Sequence, residues 1–414
     1  MGPRWPPGWR PRGRVPDVAR SELVASYLAV LPEGREVEAA EAFAVGQTIG
    51  TWIPVPGITD DMRSRHGGRV VEVREGGPAE ILGGEQAGGR WVLRVAFPIA
   101  NFGPQMPMLF TTLLGNDPST SIAARLVDLD LPAEYIAQFP GPAVGIEGWR
   151  ALTGVVDRPL LLNMIKPCTG FPPDVGAGFV REVATGGVDL VKDDELLANP
   201  AFSPVRDRAR AYAAALDAVS QETGQRARYI ANVTTRARDL EATALAALEG
   251  GADGLMVNVL AVGLDALATL VEASPGVPVL AHTAGVETFT GSSGSGFGHA
   301  LLIGRLVRLV GADAVLLSTP LASRPLPRPV FDATVAGLRE PWPGTRPSMP
   351  FVGGGLSADS VGAIVEAAGI DVIIGVGGAI QGHPGGAAAG ARLVRAAIDD
   401  AVAGAPPVSA QGRR

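Results

Sequence analysis

Residues 227–260, ARYIANVTTRARDLEATALAALEGGADGLMVNVL, contain one complete unit of the pattern that decides the fold. A short apolar run, ARYIANVT, precedes the stretch DLEATALAALEGG, whose apolar residues recur with helical spacing, and a second apolar run, GLMVNVL, follows. Continuous apolar strands that alternate with amphipathic helices are typical of a parallel sheet covered on its faces. These residues therefore predict a strand, a helix and a parallel strand.

The same alternation extends in both directions from about residue 159 onward. The apolar runs are PLLLNMI, VDLVKDD, ARYIANVT, GLMVNVL, PVLAHT, AVLLST, MPFVGG and DVIIGVGG, with helical stretches between them. Eight such units within about 250 residues predict a (β/α)8 barrel. An open doubly wound sheet is the competing topology, and the eight regular units disfavour it.

The first 145 or so residues follow a different pattern. ELVASYLAVLP predicts a strand, EVEAAEAFAVGQTIG a helix, and RVVEVREGG and RWVLRVAFPIANF two further strands. This order predicts a ferredoxin-like α+β domain over residues 21–145 and the barrel over residues 146–403, with the boundary in the Pro- and Gly-rich stretch 139–148. Residues 1–20 and 404–414 are expected to be disordered extensions.

Composition limits the class of protein and its partners. Hydrophobic residues make up 46% of the chain and charged residues 19%, as in soluble globular proteins. The net charge of −7 argues against nucleic acid as the main partner. No membrane span is expected, because no stretch of about 20 residues stays apolar. A single cysteine, Cys168, and the lack of a secretory signal pattern favour the reducing cytoplasm.

Polar residues stand where the predicted strands end. In a parallel barrel the chemistry collects at the carboxyl ends of the strands, so these side chains are expected to converge. They are Lys166, Lys192, Asp193, Asp194, Glu195, Asn232, Thr234, Asn258, His282, Ser318 and Thr319.

Two glycine clusters, Gly353–Gly355 and Gly377–Gly378, follow the seventh and eighth predicted strands. Barrel enzymes commonly bind phosphate at these ends, and glycine allows backbone N–H groups to approach an anion closely. A chain with 55 glycines also places them in ordinary turns. Two clusters at these two positions favour the phosphate site.

The motif KDDE ends the second predicted strand. Lys192 and Asp194 share one face of that strand, and Glu195 can turn inward where the strand ends. Two carboxylates alone make a weak Mg²⁺ site, but addition of CO₂ to the Lys192 amine would supply a further anionic oxygen. Spacing alone favours a salt-bridged charge cluster, whereas the position at the barrel end favours the metal site.

Three further side chains each have two interpretations. Lys166, if it lies near a divalent cation, is expected to have a depressed pKa and to act as a base; otherwise it extends its ammonium group into water. His282 is either a general acid/base or substrate hydrogen-bonder, or a core histidine. Cys168 is expected to be structural, because no base is paired with it.

Together, these motifs resemble the ribulose-bisphosphate carboxylase large chain. MIKPCTG, GGVDLVKDDE, LAHTAG, VGGGLS and GVGGAIQGHPGG occur in its order and approximate spacing. GTW at 50–52 and LLGN at 113–116 extend the resemblance, which covers about residues 22–400. It implies an N-terminal α+β domain, a C-terminal barrel, and a homodimer with each active site at the subunit boundary.

The resemblance also implies residue roles. Lys192 corresponds to the carbamylated lysine, with Asp194 and Glu195 as the other Mg²⁺ ligands. Lys166 corresponds to the base that enolises the substrate, and His282 to a histidine near the substrate hydroxyls. The remaining matches are Gly354, Gly355, Gly377 and Gly378 in one phosphate site, and Asn116, which the first domain of one subunit would contribute to the other subunit's site.

Several carboxylase residues are missing. Thr283 stands in place of a phosphate-binding arginine, and Cys168 in place of a lysine that supports the base. No lysine occurs from Ser318 to Ser348, where the carboxylase has the lysine that holds CO₂. Gly353 replaces a serine, and Gly46 or Gln47 stands near the position of an active-site glutamate. The enolising half of the machinery is retained, and the carboxylating half and the second phosphate site are not.

This pattern is similar to the RuBisCO-like proteins (form IV), which abstract a proton next to a carbonyl of phosphorylated, sugar-derived compounds. It implies an isomerase or tautomerase that does not fix CO₂. The branch that enolises the diketone phosphate of methionine salvage lacks a lysine like Lys166. This chain has Lys166, which points instead to the 5-methylthioribulose-phosphate isomerase type or to C–C cleavage of a 3-oxo-isoapionate 4-phosphate type of substrate. A noncatalytic sugar-phosphate binding protein is the remaining alternative.

Overall fold

The computed structural model describes residues 22–50, 55–76, 91–116, 118, 121–274 and 276–404. The chain forms two compact units, one reaching to Ile136 and including Glu287–Gly298, the other comprising Ala137–Val286 and the chain from His299 onward. The first unit thus ends before the predicted boundary at residue 145, and the sequence did not predict the segment Glu287–Gly298 that belongs to it. Residues 1–20 and 405–414, predicted to be disordered, lie outside the described residues.

The first unit has the predicted ferredoxin-like order of elements. Its strands are β1 (Glu22–Val30), β2 (Arg69–Glu75), β3 (Trp91–Pro98), β4 (Ala123–Asp130) and the short β10 (Gly296–Phe297). Its helices are α1 (Glu36–Gly46), α2 (Asp60–His66), α3 (Met106–Leu114) and α4 (Ala133–Ile136), with a 3₁₀ turn at Ile99–Asn101. The sheet order is β10-β4-β1-β3-β2, antiparallel except for the β10–β4 pair.

The central strand β1 holds this unit together. Its interior residues are buried, as its apolar sequence requires. Tyr27 packs edge-on against Phe43 of α1 with ring centroids 5.1 Å apart, and its hydroxyl donates to the carbonyl of Leu113 in α3. Both helices therefore cover the sheet.

The second unit is the predicted barrel. Its strands are β5 (Leu160–Met164), β6 (Leu190–Lys192), β7 (Arg228–Asn232), β8 (Gly254–Asn258), β9 (Val279–His282), β11 (Ala314–Leu317), β12 (Met349–Val352) and β13 (Ile373–Gly375). All neighbouring pairs are parallel, and β13 pairs with β5 to close the cylinder. The closed ring confirms the (β/α)8 barrel over the open sheet.

Of the remaining helices, Gly145–Thr153 precedes β5, and four of the five residues of Val286–Thr290 belong to the first-unit segment Glu287–Gly298. In chain order these helices are α5 (Gly145–Thr153), α6 (Pro173–Thr185), α7 (Val205–Thr223), α8 (Leu240–Glu249), α9 (Val259–Val262), α10 (Leu264–Ala273), α11 (Val286–Thr290), α12 (Val307–Leu309) after a π-helical Ala300–Leu306, α13 (Arg328–Arg339), α14 (Val361–Ala368), α15 (Gly378–Gln381) and α16 (Ala387–Ala403). Short 3₁₀ turns occur at Ala237–Asp239 and Ala358–Ser360. No helix in the described part of the chain is long and apolar enough to cross a membrane.

Helix α5 covers the amino end of the barrel. Its Trp149 is buried in one cluster with residues that begin the strands, including Leu160 and Leu190. Asp313, just before β11, accepts hydrogen bonds of 2.7 Å from the backbone of Val144 and Gly145 and so fixes the start of the helix. With this end filled, the open cavity lies at the carboxyl ends of the strands.

Candidate active site

A cavity of about 730 Å³ occupies the carboxyl end of the barrel. The predicted residues that line it are Lys166, Lys192, Glu195, His282, Ser318, Gly353, Gly354, Gly355, Gly377 and Gly378. Asp194 reaches the same place through its contact with Lys166. Asn116 lies exposed in the first unit, two residues beyond α3, and its role in a second subunit's site stays a prediction. Of the GTW motif, residues 51 and 52 lie outside the described residues.

Lys192 ends β6 with its side chain buried in the barrel mouth. Its Nζ donates a 2.9 Å hydrogen bond to the carbonyl of Asp193. Burial lowers the pKa of Lys192 to about 8, although the charges of Glu195 and Asp194 act in the opposite direction. A substantial fraction of the amine is therefore neutral near pH 8, and the neutral form is the one that adds CO₂.

Lys166 forms a pair with Asp194. Its Nζ donates to Asp194 Oδ2 at 2.5 Å and to Cys168 Sγ at 3.1 Å. Burial lowers the pKa of Lys166, but its bonds to Asp194 and Cys168 outweigh burial and raise the pKa above its ordinary value. The depressed pKa expected for this lysine is thus not found, because its near neighbour is a carboxylate. The cysteine expected to be only structural contacts the candidate base.

The Asp194 carboxylate is buried and well supplied with donors. Its Oδ1 accepts a 3.1 Å bond from the backbone of Leu196. Burial raises the pKa of Asp194, but the hydrogen bonds from Lys166 and Leu196 outweigh burial and lower it overall. Asp194 is therefore an anion across the physiological range, as a metal ligand must be.

Asp193 points away from the cavity, opposite to Lys192 and Asp194. It is fully buried and accepts two hydrogen bonds from Arg208 of α7, at 3.1 and 2.9 Å. Tyr229 of β7 donates a third bond of 2.7 Å. Arg208 and Tyr229 were not among the predicted residues, and they fix the middle of the KDDE motif.

His282 ends β9 and is buried at the cavity wall. Its Nδ1 accepts a 3.2 Å hydrogen bond from the backbone of Ala284, so the neutral ring carries its proton on Nε2, which lies 3.6 Å from Glu195 Oε2. Burial, together with the charge of Lys192, lowers the pKa of His282 to about 3. The imidazole is therefore neutral at pH 7 and suited to donate a hydrogen bond to a substrate oxygen.

The glycine turns form another part of the cavity wall. Gly354 and Gly355 have φ of +104° and +74°, the left-handed region that favours glycine. A Cβ on Gly377 would lie 2.8 Å from Cγ of Met164, so the backbone there passes close to β5. These positions let backbone amides border the cavity without intervening side chains, which suits an anion such as phosphate.

Two residues of the site were missed from the sequence, one that lines the cavity and one that binds the backbone of Lys166. Arg324, in the loop after β11, lines the cavity, and a Cβ on Gly355 would lie within 4 Å of its neighbour Ser323. The loop has no lysine at the position implied by the carboxylase pattern, but it contains this arginine. Gln381 of α15 binds the backbone of Lys166 on both sides: its Oε1 accepts from Lys166 N at 2.5 Å and its Nε2 donates to Lys166 O at 2.8 Å.

The fit of the cavity to Mg²⁺ depends on how many oxygen ligands its side chains supply. Among the described residues, no three His, Cys, Asp or Glu side chains are grouped as a metal site. Asp194 and Glu195 supply two carboxylates, the hard oxygen ligands that Mg²⁺ prefers. The third neighbour, Lys192, becomes an oxygen ligand only as a carbamate, and its buried amine with a lowered pKa suits that reaction. The residues present therefore fit Mg²⁺ if Lys192 is carbamylated.

Comparisons with known proteins agree with this geometry. Profiles of the ribulose bisphosphate carboxylase large chain match residues 17–135 with the N-terminal domain and residues 145–321 and 332–412 with the catalytic domain. A ribulose bisphosphate carboxylase-like protein of Archaeoglobus fulgidus is 39% identical over 92% of this chain and 88% of its own.

Two further relatives also match more than nine-tenths of this chain. The 2,3-diketo-5-methylthiopentyl-1-phosphate enolase of Geobacillus kaustophilus is 37% identical over 93% of this chain and 94% of its own. The crystal structure of a rubisco-like protein from Alicyclobacillus acidocaldarius superposes with a TM-score of 0.83 at 35% identity, covering 94% of this chain and 95% of that one. The chain belongs to the ribulose bisphosphate carboxylase large-chain family and groups with its RuBisCO-like members.

Proposed function

We propose that the protein is a Mg²⁺-dependent enzyme that enolises a phosphorylated, sugar-derived keto compound, as an isomerase or tautomerase, without fixing CO₂. One observation carries the proposal. Of the 35 lysine and arginine residues in the sequence, only Lys166 and Lys192 are lysines, and both line the same cavity. Arginine does not form a carbamate, and its pKa is too high for it to act as a base near neutral pH. Amines are thus kept only where amine chemistry is needed.

Each residue of the cavity has a role in this proposal. Carbamylated Lys192, Asp194 and Glu195 would hold Mg²⁺, which supplies Lewis acidity to a substrate carbonyl. Lys166 takes or returns the proton next to that carbonyl. The Nε2–H of His282 donates to a substrate oxygen, and the backbone amides of the glycine turns bind the phosphate.

The cavity wall supports a substrate with one phosphate and one apolar end. Leu316, Leu317 and Val286 line it beside the polar groups. The relatives named as enolases act on a diketone phosphate with a methylthio end, which has this character. Retention of Lys166 favours the ketose-phosphate isomerase type. Both reactions begin with proton abstraction next to a carbonyl. Each active site would be completed by Asn116 of a second copy in a homodimer.

Solvent exchange tests the proposal directly. The protein is incubated in D₂O with Mg²⁺ and bicarbonate, together with the diketone phosphate, 5-methylthioribulose phosphate and a 3-oxo-sugar-acid phosphate, and followed by NMR. Deuterium entering next to a carbonyl, and its loss in Lys166→Ala and Lys192→Ala, would support enolisation and select the substrate. Release of CO₂ from the third compound would select C–C cleavage. Binding of these phosphates without reaction or exchange would favour the noncatalytic alternative.

A further inference from the structure

The KDDE motif contains a buried anion that does not face the cavity. Lys192 and Asp194 lie on one face of the strand end, and Asp193 lies between them on the other. Both carboxylate oxygens of Asp193 accept from Arg208, and Oδ2 also accepts from Tyr229 and from the backbone of Asn232 at 2.9 Å. Because four donors bind this fully buried carboxylate, the backbone of Asp193 is fixed in position. Its neighbours Lys192 and Asp194 are fixed with it.

Arg208 extends this control beyond Asp193. It is fully buried, and its guanidinium also donates to the carbonyls of Ser203 at 2.6 Å, Ala198 at 2.5 Å and Leu197 at 3.4 Å. These carbonyls belong to the loop that leads from Glu195 to α7. One planar side chain therefore binds both the strand end and the loop that follows it.

We propose that Arg208 is the positioning residue for the metal ligands: through Asp193 and the 197–203 loop it holds Lys192, Asp194 and Glu195 in one arrangement. This inference rests on the proposed Mg²⁺ site. A buried ion pair by itself contributes little net stability compared with well-packed apolar side chains. The five polar groups assembled around Asp193 and Arg208 are better explained by the geometry that they impose on the neighbouring ligands.

The chain offers a matched control at the other end of the same strand. Asp189, just before β6, accepts two bonds from Arg158, at 2.8 and 2.9 Å, and one of 2.7 Å from Arg395. Its side chain is 9% exposed and that of Arg158 21%, and the pair is remote from the cavity at the amino end of the barrel. A purely structural role predicts that substitutions of Arg158 and of Arg208 have the same effects.

The experiment compares Arg208→Lys with Arg158→Lys in the full chain. Mn²⁺ affinity is measured by electron paramagnetic resonance in bicarbonate, and the carbamate is followed with ¹³CO₂ by NMR; the wild-type chain has only two lysines to assign, and each of these two variants has three. Melting temperatures are recorded for both variants. Asp193→Asn and Arg208→Met complete the set; if Arg208→Met does not fold, the two conservative variants carry the comparison.

We expect Arg208→Lys and Arg158→Lys both to melt at a lower temperature than the wild-type protein. Only Arg208→Lys should lose Mn²⁺ affinity, by about tenfold or more, as for other residues that orient metal ligands. Equal Mn²⁺ affinity in Arg208→Lys and Arg158→Lys, with an intact wild-type site, would overturn the inference alone. If the wild-type protein bound no Mn²⁺ and formed no carbamate, the proposed metal site would fall and the inference with it.

Discussion

Lys166 Nζ and Asp194 Oδ2 lie 2.5 Å apart, so the candidate base and a candidate metal ligand share one hydrogen bond. The pair raises the pKa of Lys166 and lowers that of Asp194, in each case against the effect of burial. A cation bound by Asp194 would compete with the Lys166 ammonium for the same oxygen and would favour loss of its proton. We therefore expect metal binding and base activity to be coupled.

Lys166→Met is expected to separate the two functions. Because the competing ammonium is gone, Mn²⁺ affinity in bicarbonate should rise severalfold, while deuterium exchange into substrate falls by about 100-fold or more. Electron paramagnetic resonance and NMR measure the two quantities. Cys168→Ala, which leaves the Lys166–Asp194 pair intact, is the control and should change Mn²⁺ affinity little. Weaker Mn²⁺ binding in Lys166→Met would contradict the coupling.

Gln381→Ala is expected to lower kcat while KM changes little. Gln381 binds both the N–H and the carbonyl of Lys166, so its loss frees the backbone that aims the base. A misplacement of about 1 Å in a reacting group costs up to about 100-fold in rate. Steady-state kinetics on the substrate found by exchange measures the effect. Gln381→Glu keeps the acceptor but not the donor and should give an intermediate kcat; an unchanged kcat in both variants would exclude this role.

The barrel was predictable because each strand is a continuous apolar run with its polar residues at the carboxyl end. The two-residue period of a strand also predicts that Lys192 and Asp194 share one face. The sequence could not assign the partner of Asp193, since the start of α7 contains several arginines. Arg206 and Arg210 are exposed there and Arg208 is buried. Its helical spacing with the buried Val205 and Tyr212 was the available signal.

Contacts across long stretches of chain were not predictable in this way. Gln381 and Lys166 are 215 positions apart, and the sequence around Gln381 contains no signal that its side chain binds the backbone of Lys166. The segment Glu287–Gly298 belongs to the first unit, although the sequence pattern of barrel strands and helices shows no break there. Arg324 was not predictable for another reason, because the resemblance to the carboxylase implies a lysine in this loop and gives no role to an arginine there.

Arg324→Gln is expected to weaken phosphate binding. Its loop lies against the Gly354–Gly355 turn, and an arginine can pair with a phosphate through two hydrogen bonds. KM should rise by about tenfold with kcat nearly constant, and inorganic phosphate should inhibit less strongly. Arg328→Gln is the matched control, because Arg328 pairs with Asp332 on the exposed face of α13. Equal phosphate inhibition in both variants would remove Arg324 from the phosphate site.

His282 should make the protein less stable as the pH falls. Burial first, and the charge of Lys192 second, lower the pKa of His282 from 6.5 to about 3. Between these pH values the unfolded chain binds a proton that the folded chain does not, so protonation favours unfolding and stability is lost as pH falls below 6.5. At pH 5 the loss from this one group is about 2 kcal/mol.

Urea denaturation at pH 7 and pH 5 measures this loss. The wild-type protein should lose more free energy of unfolding between the two pH values than His282→Gln, by about 2 kcal/mol, because the variant has no imidazole to protonate. Carboxylates common to both proteins cancel in the comparison. If the two proteins lost equal amounts, the imidazole would accept its proton as easily in the folded barrel as in water, and the lowered pKa of His282 would be wrong.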